Sequence, residues 1–300
     1  MRNYTFMAMF IAGALLAACS NDDNEQMDET PVKAEFTATI NSLQSRAAGT
    51  SWEGTDAIGV TASTTGYANM KYTPTAAGTD QPFTTATPYY FVGTDDATFT
   101  AYYPFGGTEN TPVGVITKTI TADMQTEKGQ KSIDFLYASA TGNRENANIE
   151  LNFDHKMSNL KLVFKEGYDV TLGKLSYTLS GLKMEGSFNT TNGAIEASGT
   201  ATDLTISDVE KPNSGDMVSS LILFSQEAQS ATLSVTLNGE IFTAEMTFPT
   251  VDGTTGIASG ITYTYNVTIT KSALVISKAT INPWTDHQWT SGEGDIDANL

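Results

Sequence analysis

Apolar residues recur at every second position along much of this chain, which is the period of a half-buried strand. Ile261 to Lys271 reads ITYTYNVTITK, with Ile261, Tyr263, Tyr265, Val267 and Ile269 on one face and threonine or asparagine on the other. Ala231 to Phe248 alternates through Leu233, Val235 and Leu237, breaks at Asn238-Gly239, and alternates again through Phe242, Ala244, Met246 and Phe248. Asn-Gly between two such runs predicts a type I′ hairpin, because both central residues must take positive φ. Val32 to Ile40 alternates through Val32, Ala34, Phe36, Ala38 and Ile40, and Ala97 to Tyr103 through Ala97, Phe99, Ala101 and Tyr103. Val115–Thr121, Ile149–Phe153, Leu160–Phe164, Leu175–Leu179 and Val218–Phe224 read the same way. Turn signals at Gly106-Gly107, Asn192-Gly193, Asn213-Ser214-Gly215 and Asp252-Gly253 punctuate them. Many short strands separated by turns predict an all-β protein built as sandwiches of the Greek-key or transthyretin-like kind, with under about a tenth of the chain helical.

One long sandwich would fit the length, but two in tandem match ordinary domain sizes better. The polar, turn-rich stretch Ala140 to Asn148 (ATGNRENAN) marks the expected boundary. The expected division is a signal over 1–18, an acidic tether over 19–30, a first sandwich over 31–147 and a second over 148–300.

The N-terminus changes the picture of where the protein works. Met1-Arg2-Asn3 is followed by an apolar run from Tyr4 to Ala18 and then by Cys19. A short positive start, an apolar stretch and small residues before a cut site make a secretory signal, too short to span a membrane as a helix. Leu16-Ala17-Ala18-Cys19 resembles the lipobox of bacterial lipoproteins, which implies acylation of the Cys19 thiol and attachment to a lipid bilayer. An ordinary secretory signal with a chance cysteine is the plainer reading. Cys19 is the sole cysteine, so no internal disulfide and no thiolate metal cluster can form. The residues that follow, Ser20-Asn21-Asp22-Asp23-Asn24-Glu25 with Asp28 and Glu29, are a polar tether. An acidic stretch directly after the lipid cysteine also resembles a surface-export signal of outer-membrane lipoproteins.

The formal net charge is −18, from 34 acidic and 16 basic residues. Such a surface repels phosphate backbones, which argues against nucleic acid as a partner. Asp95-Asp96 lacks the several oxygen ligands and turn glycine of a calcium loop, so no metal and no cofactor is expected.

Five segments, in order, carry a further resemblance: RAAGTSWEGTDAIGV from Arg46, TFTAYYPF from Thr98, SIDFLYA from Ser132, IELNFDHKMSNLKL from Ile149, and INPW from Ile281. Together, behind a lipobox, they resemble the fimbrillin-like family, subunits of adhesive outer-membrane pili delivered as lipoproteins. The resemblance implies two tandem β-sandwiches and assembly with other fimbrial subunits, self or related. It also implies that a trypsin-like protease cuts after an arginine following the first strand, and that a strand from another subunit fills the vacated groove. The chain has three arginines, Arg2, Arg46 and Arg144. Arg46 follows the first strand within Ser45-Arg46-Ala47-Ala48-Gly49-Thr50, a small-residue setting that suits a protease, with Ala47 as the new N-terminus. The donor would be Ala273 to Ile281 (ALVISKATI), through Ala273, Leu274, Val275, Ile276 and Ile281. Retention of the first strand, with Arg46 an ordinary loop residue, is the alternative, as in anchor or tip members.

Catalytic chemistry has little support. Asp154, His155 and Ser158 lie close in sequence, but no Gly-x-Ser-x-Gly turn accompanies them. His155 therefore reads as a structural residue at a strand bend, and the chain as a non-enzyme. The competing function is a monomeric surface lipoprotein that binds a host glycan or host protein, with Tyr102, Tyr103, Trp284 and Trp289 as candidate stacking platforms.

Overall fold

The structure is a computed structural model that describes residues 30–41, 51–251 and 253–284. Cys19, Arg46, Ala47, His287 and Trp289 lie outside the described residues. The protein is all-β, with 56% of the described residues in strands and 3% in helix. The described residues from Pro31 onward form one compact unit.

Two hydrophobic clusters organise that unit. The first gathers Phe36, Trp52, Tyr72, Phe83, Phe99 and Phe153, among others. Around it, seven strands close into a barrel in the order Asn148–His155, Glu35–Ile40, Asp80–Thr84, Met70–Pro74, Ile58–Ala62, Ala97–Tyr103 and Leu136–Gly142. The ring closes through a short ladder, Asp154 opposite Tyr137 and His155 opposite Leu136. A closed ladder leaves no strand edge. The alternation that predicts these strands also fills the core: Ala34, Phe36 and Ala38 on one strand and Ile149, Leu151 and Phe153 on another are buried.

The second cluster lies between a sheet running Met217–Leu223, Ser158–Glu166, Ile261–Ile269 and Leu274–Ile276, and one running Leu204–Glu210, Lys174–Ser180, Ser230–Leu237 and Glu240–Thr247. Tyr263, Tyr265, Val267 and Ile269 are fully buried on the central strand, as their alternation predicts. Asn238 and Gly239 take φ of 52° and 85° between the paired Leu237 and Glu240, which is the expected hairpin turn.

The cores do not divide at the expected position between 147 and 148. Asn148–His155 pairs in parallel with Glu35–Ile40 and belongs to the first core. Val115–Thr119 pairs instead with Lys183–Asn189, while Ile120, Ile133 and Phe135 join the second core. The chain thus visits the second core from about residue 113 to 135 before returning to finish the first. Where the two meet, Phe135 stacks on Phe188 with centroids 4.7 Å apart, and Tyr102 lies 6.2 Å from the same ring. The Tyr137 hydroxyl donates to the Thr191 carbonyl at 2.8 Å, over a turn in which Gly193 has φ of 72°. A side chain at Gly193 would collide with the Tyr137 ring, so this turn requires glycine for space as well as for φ.

Phe36 meets Tyr72 and Phe99 edge-to-face at 5.1 and 5.0 Å and is fully buried. Phe36→Ala is expected to cost about 3–5 kcal/mol of unfolding free energy, measured by urea titration. A cost below about 1 kcal/mol would mean that the leading strand is not packed into this core.

Candidate functional site

The leading strand, Glu35–Ile40, is the element whose removal the family resemblance implies. Glu35–Ile40 runs parallel to Asn148–His155, with Phe36 opposite Ile149 and Ala38 opposite Leu151. On its other side it is antiparallel to Asp80–Thr84, with Phe36 opposite Phe83. Its ends are fixed by Glu35 N–H donating to the Ala147 carbonyl and Asn41 N–H donating to the Phe153 carbonyl, both at 2.8 Å. The Asn41 side chain donates to Asp154 Oδ1 at 2.9 Å, and the Thr39 hydroxyl donates to Asn152 Oδ1 at 2.7 Å. The strand therefore occupies a slot with backbone partners on both sides. The small-large-small set Ala34, Phe36 and Ala38 points into the core.

Trp52 is buried against Phe83, Tyr103 and Phe153 at 5.1, 5.7 and 5.4 Å, and its Nε1–H donates to the Ala38 carbonyl at 2.8 Å. The core anchor on the far side of the 42–50 segment is thus Trp52.

The segment expected to act as donor is docked at home. Leu274–Ile276 and Thr280–Pro283 pair in turn with opposite ends of Ile261–Ile269. Ser277 bridges them, accepting from Asn266 N–H on its hydroxyl and donating its own N–H to the Asn266 carbonyl, both at 2.9 Å. Ala273 closes the turn with Thr270. Leu274 is buried, Ile276 and Ile281 are half-buried, and Val275 is exposed. The segment pairs with its sheet along one side only, so peeling it away breaks one ladder instead of two.

The aromatic residues considered for sugar stacking face inward. Tyr102 is 3% exposed and Tyr103 8%. The Tyr102 hydroxyl lies 2.7 Å from Asn69 Oδ1 and accepts from Gly106 N–H at 3.2 Å, while Tyr103 donates to Asp56 Oδ1 at 3.1 Å. Burial raises the pKa of both phenols, and the Asp56 charge adds to the shift at Tyr103. Trp284 is 3% exposed and stacks on His155 with centroids 3.8 Å apart and planes 4° from parallel. The glycan-contact reading of Tyr102, Tyr103 and Trp284 is therefore corrected. Tyr102 and Tyr103 have opposite parity on one strand, and both are buried because Tyr102 joins the second core and Tyr103 the first.

His155 and its sequence neighbours do not assemble as a nucleophile and base. The His155 Nδ1 lies 2.8 Å from Asp134 Oδ1, not from Asp154. The Ser158 hydroxyl donates to the Ala258 carbonyl, and Asp154 pairs with Lys156. His155 is a buried residue at the strand end whose ring packs the C-terminal Trp284. Asp134 carried no signal in the sequence, because it comes from a turn twenty-one positions earlier. Among the described residues no three His, Cys, Asp or Glu side chains gather as a metal site.

A sequence profile of the fimbrillin-like family matches residues 45–284, and the chain belongs to that family. A solved structure of a candidate cell adhesion protein from Bacteroides ovatus is 33% identical, with a TM-score of 0.75 over 86% of this chain and 99% of that one. A second, from Bacteroides uniformis, is 22% identical with a TM-score of 0.68 over 87% and 100%, and shares the fold. Comparison with curated proteins finds no match.

Burial raises the pKa of Tyr67, Tyr72, Tyr103, Tyr177 and Tyr265 in the folded state. A raised folded-state value means that stability is fully present below the unfolded phenol pKa of about 10 and is lost as pH climbs beyond it. Ionisation of these phenols, read at 295 nm, should therefore coincide with loss of the near-UV circular dichroism signal above about pH 10. Ionisation with the signal intact would contradict their burial. Trp284→Ala is expected to destabilise by about 3–5 kcal/mol and to speed amide exchange across Thr280–Pro283 first.

Proposed function

We propose that this protein is a cell-surface fimbrial subunit that assembles by strand replacement. In this reading Cys19 carries the lipid that holds the precursor at the outer membrane, and cleavage after Arg46 frees the leading strand. Ala273–Ile281 of another subunit then enters the vacated slot. Its partners are other fimbrial subunits, and it acts by assembly and adhesion, not by catalysis. The two cores take the place of the two expected tandem sandwiches, with the chain interleaved between them near residues 113–155.

Family membership supports the fimbrial role, and the 33%-identical relative is itself a candidate cell adhesion protein. The observation that carries the strand-replacement reading is the double ladder on Glu35–Ile40. This strand lies at the N-terminal end of the compact unit, so a cut after Arg46 would sever its covalent link to the remainder. Its loss leaves Asn148–His155 and Asp80–Thr84 each with one unpaired side, and it removes Phe36 from between Tyr72 and Phe99. An extended segment with an apolar residue in register restores both ladders and fills the pocket, which is the physics of strand addition. The monomeric glycan-binding reading loses its platform at Tyr102, Tyr103 and Trp284.

The test is a trace of trypsin on the chain lacking residues 1–19, followed by N-terminal sequencing and sizing. The expected result is a single new N-terminus at Ala47 and a ladder of oligomers. Resistance at Arg46, or a clean cut that leaves a stable monomer, would overturn strand replacement.

A further inference from the structure

A protein that assembles by adding strands has to leave one place open and keep its other sheet edges shut. Met217–Leu223 is the outer strand of the second core's five-stranded sheet. Its antiparallel pairing with Ser158–Glu166 puts Asn159 opposite Ile222, Lys161 opposite Ser220 and Val163 opposite Val218. Backbone groups alternate in direction along such a strand, so Val218, Ser220 and Ile222 form one outward row. That row would be a ready template for another chain.

Two glutamine side chains occupy it. Gln125 Nε2 donates to the Ile222 carbonyl at 2.9 Å, and Ile222 N–H donates to Gln125 Oε1 at 2.9 Å. One side-chain amide thus makes the pair of bonds that a neighbouring strand's peptide groups would make. Gln130 Nε2 donates to the Ser220 carbonyl at 2.7 Å, and Gln130 is 4% exposed. Both glutamines sit on a braced segment formed by the short helical turns Ala122–Gln125 and Glu127–Gln130. The Thr126 hydroxyl accepts from Gly129 N–H at 3.1 Å and donates to the Asp123 carbonyl at 3.0 Å. A side chain at Gly129 would strike that same carbonyl, so the turn is as tight as glycine allows. Asp134 N–H donates to the Gln130 carbonyl at 2.8 Å and ties the segment on toward His155.

We propose that residues 122–130 are an edge guard, in which the Gln125 and Gln130 amides cap Met217–Leu223 so that this edge cannot pair with a second copy of the chain. The proposal deepens the strand-replacement reading, since a guarded edge directs incoming strands to the slot of the leading strand. It makes its own demand on the uncut chain as well. Without the amides, two copies would pair antiparallel through Met217–Leu223 about a two-fold axis.

The experiment compares the uncut chain lacking residues 1–19 with its Gln125→Ala/Gln130→Ala variant by sedimentation equilibrium over a concentration series. Circular dichroism establishes that both are folded. The uncut parent is expected to stay at monomer mass. The double variant is expected to approach about twice that mass, as a two-fold dimer. Adding Val218→Lys, an exposed edge charge, should return it to monomer. A folded double variant that remains monomeric throughout overturns the guard, and so does association that Val218→Lys leaves unchanged. If the double variant does not fold, Gln125→Ala alone is used, which removes both bonds to Ile222, with the same two outcomes. Because no cleavage is involved, association of the uncut variant alongside failure of the cut parent to polymerise would keep the guard and reject strand replacement.

Discussion

Backbone hydrogen bonding on both sides of Glu35–Ile40 is the constraint on which the first core depends. A barrel has no edge only while every strand is present. This one is completed by a strand at the beginning of the compact unit, set in parallel against a partner whose hydrogen-bonded side chain is 113 residues away. Parallel partners cannot be joined by a tight turn. The leading strand is thus held by its ladders and by Phe36, with the chain beyond Asn41 as its one covalent link to Trp52. A strand bonded in this way is strongly held when present and separable as a unit when its link is cut. Those are the two properties that replacement requires.

The two outer strands of the second core's five-stranded sheet are handled by different means. Leu274–Pro283 lies along the outside of Ile261–Ile269, paired on one side and pinned at its end by Trp284 on His155. Such a segment detaches more cheaply than a central strand, because a single ladder is broken. Met217–Leu223 is capped by glutamine amides instead. A closed barrel, a strand segment paired on one side and a capped edge thus stand side by side in one chain. In the proposed strand-replacement reading, these arrangements would let subunits exchange strands without pairing at random.

Much of this was legible in the sequence wherever period and turn chemistry decide the outcome. The Asn238-Gly239 hairpin and the inward parity of Tyr263, Tyr265 and Val267 follow from local rules. Pairing partners do not. Ile149, Leu151 and Phe153 announce a strand, but alternation is silent on whether it joins the sheet before it or after it, and the expected boundary at 147/148 fell on the wrong side of it. The same limit applies to Tyr102, Tyr103 and Trp284, whose aromatic character suits a sugar platform or a core equally well until tertiary packing chooses. Asp134, Gln125 and Gln130 carry no periodic signal. Their roles arise from turns that bring a side chain against a distant backbone.

The central claim is that the slot of Glu35–Ile40 is what an incoming strand fills. It is tested most directly by competition. A synthetic peptide spanning Val32 to Ile40 is added in excess to the chain at the moment of cleavage after Arg46, beside the same peptide carrying Phe36→Asp, and oligomer growth is followed by light scattering. The account predicts that the native peptide suppresses growth by reoccupying both ladders, while the Phe36→Asp peptide leaves growth unchanged. Growth that proceeds equally with either peptide would contradict it.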